Sequence, residues 1–158
     1  VDVITLAGLY TVRIIAGAAA ISIMPSYWLL AVSMFVFFSL ALLKRSVELR
    51  GVTKPDAKIA GRGYRKEDKP ILDMLGVATG CIDVLVFALY INSPESRELY
   101  RHHDLLWLAC PPLLLWISRM WLVANRGEMH DDPVVYAALD RTSHVLGAVT
   151  VAIFLLAI

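Results

Sequence analysis

Apolar residues run in long unbroken stretches along this chain, at about 3–24, 27–43, 71–91, 104–124 and 143–158. A bilayer core needs about 20 helical residues, so most of these stretches are long enough to span and the last is short. Lipid offers the backbone no hydrogen-bond partner, and runs this continuous predict helices rather than barrel strands. The pattern therefore predicts an all-α, polytopic membrane protein of about five transmembrane helices. They form a single domain over 1–158, with polar loops at 44–69 and 125–142.

Composition agrees: 58% of residues are hydrophobic, above the usual soluble domain. The net charge is only +1, but loop 44–69 carries nine of the fifteen Lys and Arg residues. By the positive-inside rule that loop is cytoplasmic. Counting spans then places 125–142 on the same side, with 24–27 and 92–103 outside. The chain starts with Val and ends on an apolar run, and it reads as a fragment cut at least at the front. Its first span lacks the basic leader and cleavage pattern of a secretory signal. Cys81 and Cys110 form no CxxC and imply no disulfide framework.

Small residues recur at four-residue spacing in Ala16-Gly17-Ala18-Ala19-Ala20 and in Gly76-Val77-Ala78-Thr79-Gly80, which lets helices approach closely in lipid. Pro25 ends the first span, and Pro111-Pro112 is expected to bend the fourth. Asp132-Pro133 reads as an N-cap followed by proline at the first helical position. A short helix is expected from Pro133 through Asp140 into the last span.

The polar segment RGEMHDDPVVYAALDR at 126–141 lies between two apolar spans. Asp132, Tyr136 and Asp140 are spaced i, i+4, i+8 and would share one helix face, with His144 a further step along. Two carboxylates on one face suit Mg²⁺, which completes its shell with waters and substrate phosphates. The plainer reading is that Asp132 caps a helix and Asp140 pairs with Arg141 or Arg126. His130 and Asp131 are expected to be solvated. Lys44, Arg45 and Glu48 close the second span as KRSVEL. They read either as membrane anchors or as a phosphate clamp, with Glu48 orienting the cations or touching a sugar hydroxyl.

Three ionisable residues fall inside spans. Arg119 is near enough to the inner end of the fourth to snorkel. Arg13 and Asp83 are at mid-membrane depth, where charges face a cavity or each other. Either they pair, or Arg13 lines a polar cavity open to the cytoplasm, which is the preferred reading. Tyr64 and Arg65, within GRGYRKED, read either as a basic loop on anionic lipid or as a lid over an anionic substrate.

With these residues in hand, the chain resembles the second half of a UbiA-type membrane prenyltransferase, closest to the decaprenyl-phosphate phosphoribosyltransferase branch. The resemblance rests on Tyr10-Thr11-Val12-Arg13-Ile14-Ile15-Ala16-Gly17, on Lys44-Arg45-Ser46-Val47-Glu48-Leu49, and on Gly127 through Arg141, in that order. It implies the second half of a bundle of about nine helices around a central cavity, in which two acidic motifs hold Mg²⁺ on a diphosphate. The first motif, of the NDxxDxxxD kind, is absent from this chain. The second is commonly DxxxD, whereas here tyrosine (Tyr136) stands between Asp132 and Asp140.

The resemblance further implies a Mg²⁺-dependent transferase in the bacterial inner membrane, with its active face cytoplasmic. Lys44, Glu48 and Asp140 would serve catalysis. Arg13, Lys44, Arg45, Arg126 and Arg141 would bind phosphate, and Asp132 and Asp140 would hold the metal. The expected partners are a polyprenyl lipid, a diphosphate-bearing donor, membrane lipids and the missing N-terminal half, with no nucleic acid. On this reading the fragment alone is inactive. A small transporter or channel with Arg13 and Asp83 in its polar pathway is the alternative, and a membrane scaffold is a third reading.

Overall fold

The computed structural model describes residues 2–22, 24–51, 63–129 and 132–158, and they are all-helical with no strand among them. The helices are α1 (Asp2–Ala20), α2 (Tyr27–Arg50), α3 (Lys69–Ile91), α4 (Pro94–Leu99), α5 (Cys110–Arg126), α6 (Pro133–Leu139) and α7 (Arg141–Ala157). Short 3-10 turns at Lys66–Asp68 and His103–Ala109 lead into α3 and α5. Among the described residues, four segments are long and apolar enough to cross a membrane: Asp2–Ala20, Tyr27–Arg50, Lys66–Ile91 and His103–Arg126. A fifth candidate is the pair α6 and α7, bent by 80°.

α2 runs unbroken through Lys44, Arg45 and Glu48 to Arg50. KRSVEL closes this helix as expected, and the helix runs past the apolar stretch at 27–43 into the segment expected as loop 44–69, with its apolar side still packed. Leu43 and Leu49 are wholly buried. Pro111 and Pro112 fall inside the His103–Arg126 segment, just after its 3-10 turn gives way to α5. They occupy the first turn of α5, where the missing N–H costs nothing, and the preceding 3-10 turn delivers the chain to them. The segment 92–103 contains α4, which starts at Pro94 and is capped by Ser93 accepting from the Ser96 N–H at 3.2 Å.

α3 is the pivot of the packing. An ideal Cβ on Gly76 would fall 2.0 Å from Trp121 Cζ2, and one on Gly80 would fall 2.5 Å from Ile117 Cγ2. Only glycine lets α5 approach α3 this closely, as the four-residue spacing predicts. The Trp121 indole N–H donates to Ser39 Oγ at 3.2 Å, and that hydroxyl donates to the Gly76 carbonyl at 2.7 Å. One polar relay thus joins α5, α2 and α3. The small residues of α1 have no such role among the described residues: nothing lies within 4 Å of a Cβ placed on Gly17. Cys81 and Cys110 are both free.

Candidate functional site

The helices bring most of the ionisable groups to one end of the bundle. Lys44, near the end of α2, places Nζ 2.5 Å from Asp132 Oδ2. Asp132 is the N-cap of α6, and its other oxygen accepts from the Val134 N–H at 3.0 Å. Pro133 follows at the first helical position, as its sequence predicts. Burial works to raise the Asp132 pKa, but the Lys44 ammonium and the Val134 N–H outweigh it and hold the carboxyl below its ordinary value.

The pair closes the polar end of a narrow cleft lined by Leu6 and Tyr10 of α1, Phe37, Leu40 and Ala41 of α2, and Val134 of α6. Tyr10 stacks on Phe37 with ring centroids 5.2 Å apart. The Arg13 guanidinium sits 5.2 Å from the Tyr10 ring centroid. Arg13, Lys44 and Asp132 are thereby linked along one side of the chain through Tyr10, a residue to which sequence reasoning gave no role. Arg13 is exposed on α1 and stands over Tyr10. Asp83 is buried at 6% exposure in α3, and its Oδ1 has no hydrogen-bond partner among the described residues.

Arg45 is not displayed as a phosphate clamp. It is buried at 2% exposure and grips Asp2 with both arms, Nε to Oδ2 at 2.5 Å and Nη2 to Oδ1 at 3.1 Å. Its remaining arm donates to Glu48. A guanidinium held by two carboxylates ties α1 to α2 and holds Glu48, rather than offering donors to a ligand. Asp2 is 43 residues from Arg45, and no local signal marked it. Beside this clamp, Ser46 donates to Asp73, and Lys69 Nζ lies 2.6 Å from the other Asp73 oxygen.

Asp140 departs furthest from the sequence reading. The helix that was expected to run from Pro133 through Asp140 stops at Leu139, and Asp140 takes an extended conformation (φ −79°, ψ 122°). There it caps α7, accepting from the Ser143 N–H at 2.8 Å and from the Ser143 hydroxyl at 2.9 Å. An aspartate able to satisfy the first turn of the next helix competes with continuation of its own. The Asp132–Tyr136–Asp140 face is therefore not one helix face, and His144 turns back to the Ala138 carbonyl at 2.8 Å.

Asp140 pairs with Arg119 (2.6 and 3.1 Å) rather than with Arg126 or Arg141, which are both exposed. Burial tends to raise the Asp140 pKa; the Ser143 donors and Arg119 reverse this and lower it. Tyr136 is half-buried on the core, near Arg119. Tyr64 also packs on that core, and Arg65 is exposed, its N–H donating to Asp68 at 2.8 Å. His130, Asp131 and 52–62 lie outside the described residues.

Asp132 and Asp140 are thus each neutralised by their own cation. No group of three or more His, Cys, Asp or Glu side chains converges among the described residues. These two carboxylates do not by themselves fit a Mg²⁺ site.

The chain matches no family model and no solved structure. It is 36% identical over 159 residues to the uncharacterized protein y4nM of Sinorhizobium fredii, covering 99% of this chain and 31% of that protein. It is 34% identical over 158 residues to the nodulation protein NoeC of Azorhizobium caulinodans, covering 98% of this chain and 52% of that protein. The chain spans about half the length of one of these relatives and about a third of the other.

Proposed function

We propose that this chain is the second half of an integral-membrane transferase of the UbiA type, acting on a polyprenyl phosphate or diphosphate at the cytoplasmic face of a bacterial inner membrane. Phosphoribosyl transfer to a polyprenyl phosphate is the favoured reaction, and prenyl transfer to an aromatic acceptor is next. The observation that carries the reading is the Lys44–Asp132 pair at the polar end of apolar walls from α1, α2 and α6, whose cleft of about 10 Å³ must widen to admit a substrate. A lipid phosphate needs that combination, a hydrocarbon wall ending at a cation. Lys44 and Arg13 would meet phosphate, and Asp132 holds Lys44 in place until substrate arrives. Arg45 contributes by positioning Glu48.

A phosphate that reaches Lys44 competes with Asp132 for the ammonium, and Arg13 leaves its contact with the Tyr10 face for a stronger charge-assisted one. The reaction then depends on stabilising negative charge on the departing diphosphate. Any Mg²⁺ would need carboxylates from outside this chain, as the acidic motif implied by the resemblance would supply. In the longer protein, Lys44→Ala is expected to abolish turnover while the protein remains inserted and folded. Asp140→Ala is expected to do the same through loss of the α6–α7 break. Full activity in both variants would refute the assignment.

A further inference from the structure

The end of the bundle opposite Lys44 holds a second cavity, of about 300 Å³, within the range of small-molecule sites. Five aromatic side chains line it: Trp28 from the first turn of α2, Phe87 and Tyr90 from the end of α3, Tyr100 after α4, and Phe154 from the end of α7. Their rings form a continuous arc. Centroids are 6.2 Å apart for Trp28 and Tyr90, 6.3 Å for Tyr90 and Phe87, 5.8 Å for Phe87 and Phe154, and 5.9 Å for Phe154 and Tyr100. Aromatic residues at a membrane interface usually anchor a helix singly. Here they come from four parts of the chain and surround a common space, although side chains of a packed interior leave few voids larger than a water molecule.

The charge at the rim is selective. Glu95 is exposed on α4, and its own backbone N–H, the Ser93 hydroxyl and the nearby Trp28 indole hold its pKa below the ordinary carboxylate value. It therefore sits beside the ring that opens the arc. Arg97 and Arg101 are exposed on the same segment, on either side in sequence of Tyr100, which lines the cavity. Ring faces attract cations, but a primary ammonium brings three N–H donors that carbon walls cannot satisfy. A quaternary ammonium brings none. We propose that this cavity binds the phosphocholine headgroup of a membrane lipid, with the trimethylammonium group among the five rings beside Glu95 and the phosphate toward Arg97 and Arg101. The site is on the other membrane face from the Lys44 cleft and stands independently of the transferase reading.

The test is lipid retention by the purified protein in a maltoside detergent, read by native mass spectrometry with phosphatidylcholine, phosphatidylethanolamine and phosphatidylglycerol of matched acyl chains offered together. Phosphatidylcholine is expected to be retained about fivefold or more over phosphatidylethanolamine. Tetramethylammonium chloride is expected to displace it better than sodium chloride at equal ionic strength. Tyr90→Leu and the surface variant Glu95→Gln should each reduce the preference. Glu95→Gln alters no buried side chain, so its result stands even if Tyr90→Leu misfolds. Equal retention of the three lipids, a preference for phosphatidylglycerol, or an unchanged preference in Glu95→Gln would overturn the proposal.

Discussion

Gly76→Ala is the sharpest perturbation of the packing that brings the charged end together. The added methyl would fall 2.0 Å from Trp121 Cζ2 and 2.3 Å from Cη2, whereas carbons at rest sit about 3.5–4.0 Å apart. Either α3 and α5 part by roughly 1.5 Å or the indole turns. Turning it breaks the Trp121 N–H to Ser39 bond and disturbs the Ser39 bond to the Gly76 carbonyl. Overpacking costs about 1–3 kcal/mol, and an interhelical hydrogen bond in a membrane is worth about 0.6 kcal/mol on average. The expected loss is therefore ~2–3 kcal/mol. It is read by unfolding the protein in mixed micelles with increasing dodecyl sulfate and following tryptophan fluorescence. Because the clash is with one ring, Gly76→Ala combined with Trp121→Leu should lose at least about 1 kcal/mol less than the two separate losses summed. A Gly76→Ala protein within about 0.5 kcal/mol of the parent, with strict additivity in the double variant, would refute the close approach.

Arg45→Lys should cost ~3 kcal/mol, because a single ammonium cannot replace three guanidinium arms between Asp2 and Glu48; the same micelle titration measures it. Gly127→Ala should cost ~1–2 kcal/mol, because Gly127 ends α5 at φ +80°. Its Cβ would also fall 2.7 Å from Arg50 Nε, the side chain that caps the Ala124 and Asn125 carbonyls. Asp132 and Asp140 are both depressed in pKa in the folded protein. Their contribution to stability is present above the unfolded value near pH 4 and lost as pH falls through the folded values. Melting temperature should fall on acidification below about pH 4, and Asp140→Asn should flatten that fall.

Four of the spans, the Asp132-Pro133 helix start and the Gly76–Gly80 approach were legible because each is written locally, in hydropathy, capping chemistry and four-residue spacing. The break at Asp140 also had a local signal that the i, i+4, i+8 reading passed over. Asp140-Arg141-Thr142-Ser143 places an acceptor three residues before a serine N–H, which is a helix start as well as a helix face. The partners were not legible. Arg45 finds Asp2, and Asp140 finds Arg119 rather than the nearer Arg126 and Arg141. Those choices depend on which helix ends meet, and α2 extends two turns beyond its apolar stretch to make them. Tyr10 carries no such signal, because an aromatic residue in an apolar span gives no sign that an arginine will rest on it.

The most direct test is turnover by the longer protein that contains this chain, in membranes, with a polyprenyl phosphate and a ribosyl diphosphate donor. The account predicts a lipid-soluble polyprenyl phosphoribose with release of diphosphate, and no product from Lys44→Ala. Neither that product nor a prenylated aromatic from the corresponding polyprenyl diphosphate, in a protein shown to be folded and inserted, would contradict it.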